Sequence, residues 1–201
     1  MCGIAGSVNF RLHIPSLTKD LYHRGPDEQT TFEEGNVQLH HHRLAILDIA
    51  GGHQPMHQGN LTIIFNGEIY NHLEVRKKLN LNCHTNSDTE TILQAYGKIG
   101  PACLQEFDGM FAFVIYDRKK NALFLARDRA GKKPLYYYSD GKSFVFAIAV
   151  GISSANFGAL SRYKIPCMPF YLVMLMLLYQ KTKLAYPRWF HKILNFAVPA
   201  R

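Results

Sequence analysis

No apolar run in the 201 residues approaches the length that crosses a bilayer. The longest, Met168 to Tyr179, is twelve residues and contains Pro169, whereas a spanning helix needs about 20. It shows no clear polar face, so membrane contact is not expected either. Residues 1–6 lack the positive n-region and apolar h-region of an export signal. The four cysteines, Cys2, Cys83, Cys103 and Cys167, show no C-x-x-C spacing, which points to a reducing, cytoplasmic compartment.

Acidic residues are absent after Asp140, and this explains the net charge of +8. Residues 1–147 carry 16 Lys/Arg against 15 Asp/Glu, while residues 148–201 carry seven Lys/Arg and no acid. The excess belongs to the tail rather than to a basic stripe on a folded domain, so no nucleic-acid partner is expected. Gly131-Lys132 lacks the upstream glycines of a phosphate loop, and Asp117, Asp128 and Asp140 lack calcium-loop spacing. His40-His41-His42 would alternate between the faces of a strand and cannot all ligate one ion, so they read as structural and no metal is assigned. No internal repeat or low-complexity tract is present.

What remains is a globular composition, 47% apolar and 19% charged, long enough for one domain with an appendage. Strands are expected at Cys2–Phe10, Val37–Asp48, Leu61–Phe65, Met110–Tyr116, Ala122–Arg127, Leu135–Tyr138 and Ser143–Ala147, the last two forming a hairpin. A short helical turn fits Leu17–Tyr22, and helices fit Leu73–Leu79 and Asp88–Lys98. Ser87 and Glu90 stand at capping-box spacing before the second helix. Asn66-Gly67, after the third strand, is a dipeptide that favours tight turns. Meanders with helices clustered between them argue for an α+β fold of mainly antiparallel sheets.

Cys2 matters for its position. Removal of Met1 would give one residue both a thiol and a free α-amine, whose pKa of about 7.7–8.0 suits a general base at neutral pH. Nucleophile and base then form one unit. Taken singly, Cys2 is a small residue after Met1, Asn66-Gly67 a turn, Arg43 a surface cation and Asp88 a first-turn helix acid.

Seven motifs occur in order: Met1-Cys2-Gly3-Ile4-Ala5-Gly6, Arg24-Gly25-Pro26-Asp27, His42 to Asp48, Gly52-His53-Gln54-Pro55-Met56, Phe65 to Asn71, Ser87-Asp88-Thr89-Glu90 and Phe107 to Ala112. Asp128 and Gly131-Lys132-Lys133-Pro134-Leu135-Tyr136-Tyr137 continue the series. The pattern over residues 1–147 resembles the glutaminase domain of glutamine-hydrolysing asparagine synthetases, which are class II glutamine amidotransferases. Glu68 after Asn66-Gly67, together with Arg24-Gly25-Pro26-Asp27, points to that branch rather than to amidotransferases serving sugar phosphates or phosphoribosyl pyrophosphate.

The resemblance implies an N-terminal-nucleophile hydrolase fold, an αββα sandwich of mainly antiparallel sheets. It also implies hydrolysis of free glutamine to glutamate and ammonia through a thioester on Cys2. Asn66 and the Gly67 N–H would form the oxyanion hole, and Arg43 would bind the substrate α-carboxylate in a bidentate fork. Glu68 and Asp88 would receive the α-ammonium, and Ile46 would belong to the substrate site. The glutaminase step would need no cofactor. ATP and magnesium belong to the synthetase domain, to which ammonia would pass as a separate domain or subunit.

That synthetase domain and its Ser-Gly-Gly-x-Asp-Ser loop do not occur in the sequence. The family pattern breaks after Ala147, where the acidic residues have also ended, so residues 148–201 read as a divergent basic, apolar tail, either from a frameshifted or rearranged gene end or a genuine replacement tail. The sandwich is then expected to lack strands at its C-terminus and to keep open sheet edges. The competing expectations are an inactive truncation or binding module, and a glutaminase serving another acceptor.

Overall fold

The structure, a computed structural model, describes residues 2–148. The expectations for the tail, its apolar stretch and the missing strands, lie outside the described residues. Within the unit formed by the first 150 residues, two antiparallel sheets stack face to face. The five-stranded sheet runs β2 (Glu28–Glu34), β3 (Val37–Arg43), β1 (Gly3–Val8), β9 (Phe144–Ile148), β8 (Tyr136–Ser139). The four-stranded sheet runs β4 (Met56–Gln58), β5 (Leu61–Ile69), β6 (Gly109–Asp117), β7 (Ala122–Arg127). Helix α1 (Ile14–Leu21) lies beside the first sheet, while α2 (His72–Lys78) and α3 (Asp88–Ile99) accompany the second. The expected α+β sandwich is borne out. No helix among the described residues is long and apolar enough to cross a membrane.

Two cores share the four-stranded sheet. Leu61, Ile63, Phe65 and Ile69 of β5 pack with Phe111, Phe113 and Ile115 of β6 against Ile92, Leu93, Ala95 and Tyr96 of α3. Ile64, Ala112 and Val114 pack the other way, with Ile4, Val37, Leu39 and Phe146 of the five-stranded sheet. This is the period-2 alternation of a sheet buried on both faces, and it explains why β6 and the first half of β5 are nearly continuous apolar runs.

Several sequence expectations need correction. Residues 28–34 form a strand where none was expected, because Glu-Gln-Thr-Thr-Phe-Glu-Glu is polar and belongs to a half-exposed edge. The strand expected over Val37–Asp48 ends at Arg43, and the chain beyond it becomes a loop. The three-residue β4 and the 3-10 helices at Tyr22–Arg24 and Gly100–Gln105 are additional to the expected elements. Helix α1 begins three residues early, with a proline in its first turn, a position where the missing N–H costs nothing.

The capping box is only half formed. The Ser87 side chain accepts from Thr89 N at 3.2 Å, but Glu90 does not return to the cap. Its carboxylate instead accepts from His84 N at 2.9 Å, Thr85 N at 2.7 Å and the Thr85 hydroxyl at 2.6 Å, closing the loop before α3.

Gly6 and Gly97 make opposite demands. A Cβ on Gly6 would lie 2.2 Å from Phe146 Cζ and 2.7 Å from Gln38 O, and the backbone oxygen cannot step aside. At exposed Gly97, within α3, the nearest atom is Leu61 Cδ1 at 3.6 Å. Gly6→Ala should cost about 1–3 kcal/mol by overpacking, and Gly97→Ala should gain about 0.5–1 kcal/mol from helix propensity. Urea midpoints that move down and up respectively check both.

Candidate active site

Cys2 enters β1, whose antiparallel register sets Gly3 opposite His42 and so brings Cys2 beside the end of β3. Leu44 N donates to Cys2 Sγ at 3.4 Å, and Sγ lies 3.8 Å from Leu44 O. The half-buried thiol is pushed up by desolvation, and the Leu44 contact and the charges of Arg43 and Arg24 draw it back. Arg24-Gly25-Pro26-Asp27 braces this corner. Arg24 Nη2 donates to Cys2 O at 3.3 Å, Asp27 N donates to Arg43 O at 3.2 Å, and Asp27 Oδ2 accepts from Ala45 N at 2.8 Å.

Asn66-Gly67 is not a turn. It lies inside β5, with Asn66 opposite Ala112 and Gly67 opposite Phe111. The turn propensity of the dipeptide yields to a ladder already set by the apolar residues before it. A Cβ on Gly67 would stand 2.2 Å from Met110 O and 2.6 Å from Phe111 Cα, at φ +154°, so only glycine fits. Asn66 shares the face of Ile64, toward the five-stranded sheet. It is 1% exposed, and its Nδ2 has no hydrogen-bond partner among the described residues. Both flanks are held. Phe65 N donates to Gln54 Oε1 at 2.6 Å, Gln54 Nε2 donates to Thr89 Oγ1 at 3.3 Å, and His41 Nε2 lies 3.3 Å from Phe65 O.

Asp88 opens α3 and is 5% exposed. Its Oδ2 accepts from Ile69 N at 3.0 Å, and no ion pair to it occurs among the described residues. Burial pushes its carboxyl up to about 6, against the lowering effect of the Ile69 and Thr89 N–H groups, and neighbouring Glu68 adds to the rise. Glu68 itself is exposed, one residue before Ile69. Two acids therefore lie together with no ion pair to either among the described residues.

Arg43 is buried at the end of β3. Nη1 donates to Glu28 Oε2 at 3.3 Å and Ile49 O at 3.0 Å, and Nη2 donates to Asp48 O at 2.9 Å. The loop it grips is fastened by Asp48, whose carboxylate accepts from Gly51 N at 2.9 Å and Asn86 N at 2.7 Å. Ile46 stands on this loop, 76% exposed, so its side chain points to solvent. His40 and His42 share one face of β3, ring centroids 4.9 Å apart, with His41 on the other. Burial lowers His40 to about 4 and His41 to about 3.

The residues that hold the site, Asp27, Asp48, Gln54 and Asp128, received no role from the sequence. Their signal was present, since each lies within or directly beside a recognised motif, but a side-chain acceptor for backbone N–H groups has no spacing signature. A separate groove of about 480 Å³, lined by Leu125, Leu135, Tyr137 and Phe144 among others, contains none of the expected site residues.

The family model of the glutamine amidotransferase domain matches residues 1–165. The chain is 42% identical over 173 residues to a putative glutamine-hydrolysing asparagine synthetase 2 of Methanocaldococcus jannaschii, covering 73% of this chain and 34% of that protein. It is 42% identical over 160 residues to asparagine synthetase 3 of Bacillus subtilis, covering 73% and 26%, and 37% identical over 158 residues to asparagine synthetase B of Escherichia coli, covering 72% and 28%. It spans about a third or less of the length of these relatives. On the length of the family match, the chain belongs to the glutamine amidotransferase domain family.

Proposed function

We propose that this domain hydrolyses free glutamine to glutamate and ammonia, with Cys2 as the nucleophile. The observation that carries the reading is the buried Nδ2 of Asn66 on the inter-sheet face, which has no hydrogen-bond partner among the described residues. An unsatisfied buried donor costs about 1–3 kcal/mol, and such a cost is retained where a ligand atom completes the bond. An oxyanion is a ligand of that kind.

In this reading Met1 is removed and the α-amine of Cys2 takes the thiol proton. The sulfur attacks the γ-carboxamide carbon, and Asn66 Nδ2 and the Gly67 N–H donate to the tetrahedral oxyanion. The amine returns its proton to the departing ammonia, and water cleaves the thioester to release glutamate. Arg43 has five N–H groups. Those not turned to Glu28, Asp48, Ile49 and His53 are available to the substrate α-carboxylate, with the main chain around Ile46 beside it. Asp88 and Glu68 receive the α-ammonium. A site with an anion receptor and a cation receptor fits a free amino acid and rejects glutamine within a peptide. The names of the relatives support asparagine-synthetase-type amidation as the use of the ammonia, with the acceptor chemistry in a synthetase domain or subunit.

Cys2→Ala should abolish glutamate release, and Asn66→Ala should lower kcat by about 10²–10³. A Cys2→Ala variant that releases glutamate at the wild-type rate would overturn the reading.

Asp88 sets a pH dependence that can be measured without turnover. Its folded value of about 6 lies above the ordinary 3.8, so the native state holds a proton that the unfolded chain has released between these values. The stability from this group is present below that window and is lost as pH rises through it. A bound ammonium offsets the loss. In Cys2→Ala protein, glutamine affinity should fall as pH drops through about 6 and the carboxylate protonates. Calorimetric titration checks this, and Asp88→Asn should bind weakly with that limb flattened.

A further inference from the structure

Strand β5 outruns its outer neighbour. β4 pairs with it only at Met56↔Ile63, His57↔Thr62 and Gln58↔Leu61, and Pro55, the preceding residue, has no N–H with which to extend the ladder. Beyond Ile63 the main chain on this edge needs other partners. Antiparallel alternation turns the polar groups of residues 65, 67 and 69 to the same edge. Two bonds fix the direction, since Phe65 N donates to Gln54 Oε1 at 2.6 Å and Ile69 N donates to Asp88 Oδ2 at 3.0 Å. The other side of the sheet agrees. Phe111, the register partner of Gly67, turns its N and O to Asp128, past the end of β7. The Gly67 N–H therefore faces away from β6, in a one-residue gap between two side-chain acceptors.

Continuing the β4 register by two residues sets Gln54 opposite Phe65, where a longer strand would offer a main-chain carbonyl. The side-chain carbonyl of Gln54 takes that place. The residue is 6% exposed and anchored at three points. Oε1 accepts from Phe65 N, Nε2 donates to Thr89 Oγ1 at 3.3 Å, and the main-chain O accepts from the Thr30 hydroxyl. These bonds join β5 to the first turn of α3 and to β2 of the other sheet. A side chain ends where it caps, whereas a continued β4 would run on across Gly67 and take its N–H.

We propose that Gln54 is a positioning residue for the oxyanion donors. Its side chain stands in for the missing strand neighbour, holds β5 extended past the end of β4, and keeps Asn66 Nδ2 and the Gly67 N–H aimed at one point while leaving both free for the oxyanion. The inference rests on these two groups being the oxyanion donors and names what orients them.

Gln54→Met keeps the volume and removes both polar atoms. Its kcat for glutamate release should fall about 10- to 100-fold, with KM for glutamine held within about twofold, because the oxyanion bonds are made only in the transition state. Gln54→Glu, which keeps an acceptor for Phe65 N, should recover most of the loss. Hydrogen exchange read by mass spectrometry needs no turnover, and the amides of 61–69 should exchange faster in Gln54→Met. If Met prevents folding, Thr89→Val removes only the hydroxyl that anchors Nε2 and should lower kcat about 3-fold. A folded Gln54→Met or Thr89→Val protein with the wild-type kcat, a loss that falls in KM, or a loss that Glu does not recover would overturn the proposal and leave Gln54 a buried structural amide. Wild-type protein that releases no glutamate refutes the functional reading instead. The exchange result then decides for Gln54, since faster exchange upholds its hold on β5 and unchanged exchange overturns it.

Discussion

The alternation of side chains along β5 is the constraint on which the rest of the molecule depends. Its odd-numbered residues Leu61, Ile63, Phe65 and Ile69 are committed to the core beneath α3, and Ile64 is committed to the core between the sheets. Asn66 follows Ile64 by two residues, so a polar side chain is carried into the inter-sheet space by the burial of its apolar neighbours. A slip of one residue would turn Asn66 toward α3 and every apolar contact of the strand to the wrong face. The cores therefore fix the orientation of the carboxamide far more strongly than any hydrogen bond to it.

Fixing it there has an electrostatic cost. Asn66 Nδ2 lacks a partner among the described residues, and the carboxyl of Asp88 is held near 6. Each is a polar group removed from water with incomplete compensation. The surrounding loops show the opposite treatment. Glu90, Asp48, Asp27 and Asp128 each collect backbone N–H groups, which rigidifies the irregular chain between strands. Well-satisfied loops around poorly satisfied site groups are the pattern expected where a ligand, rather than the protein, completes the bonding.

Much of this was legible in the sequence, because apolar periodicity and turn residues located most of the strands and α3, and the ordered motifs identified the family. Failures occurred where local chemistry and tertiary context disagree. Asn66-Gly67 has the propensity of a turn, yet cross-strand pairing with Ala112 and Phe111 keeps it extended. Strand β2 is too polar to announce itself, since an edge strand hides little. Glu90 had the correct spacing for a cap, but the His84 and Thr85 N–H groups compete for it more effectively. The burial of Lys133 was invisible because nothing about Gly-Lys-Lys-Pro says which lysine turns inward, and Ile46, expected in the substrate site, turns its side chain to water.

The central claim is that the sulfur of Cys2, beside its own α-amine, forms the bond to the glutamyl group. Acid quench during glutamine turnover, followed by mass spectrometry of the N-terminal peptide, tests it directly. The account predicts a peptide beginning at Cys2, without Met1, that carries a glutamyl group on sulfur. A peptide that retains Met1, or a glutamyl group on any other residue while glutamate is still released, would contradict it.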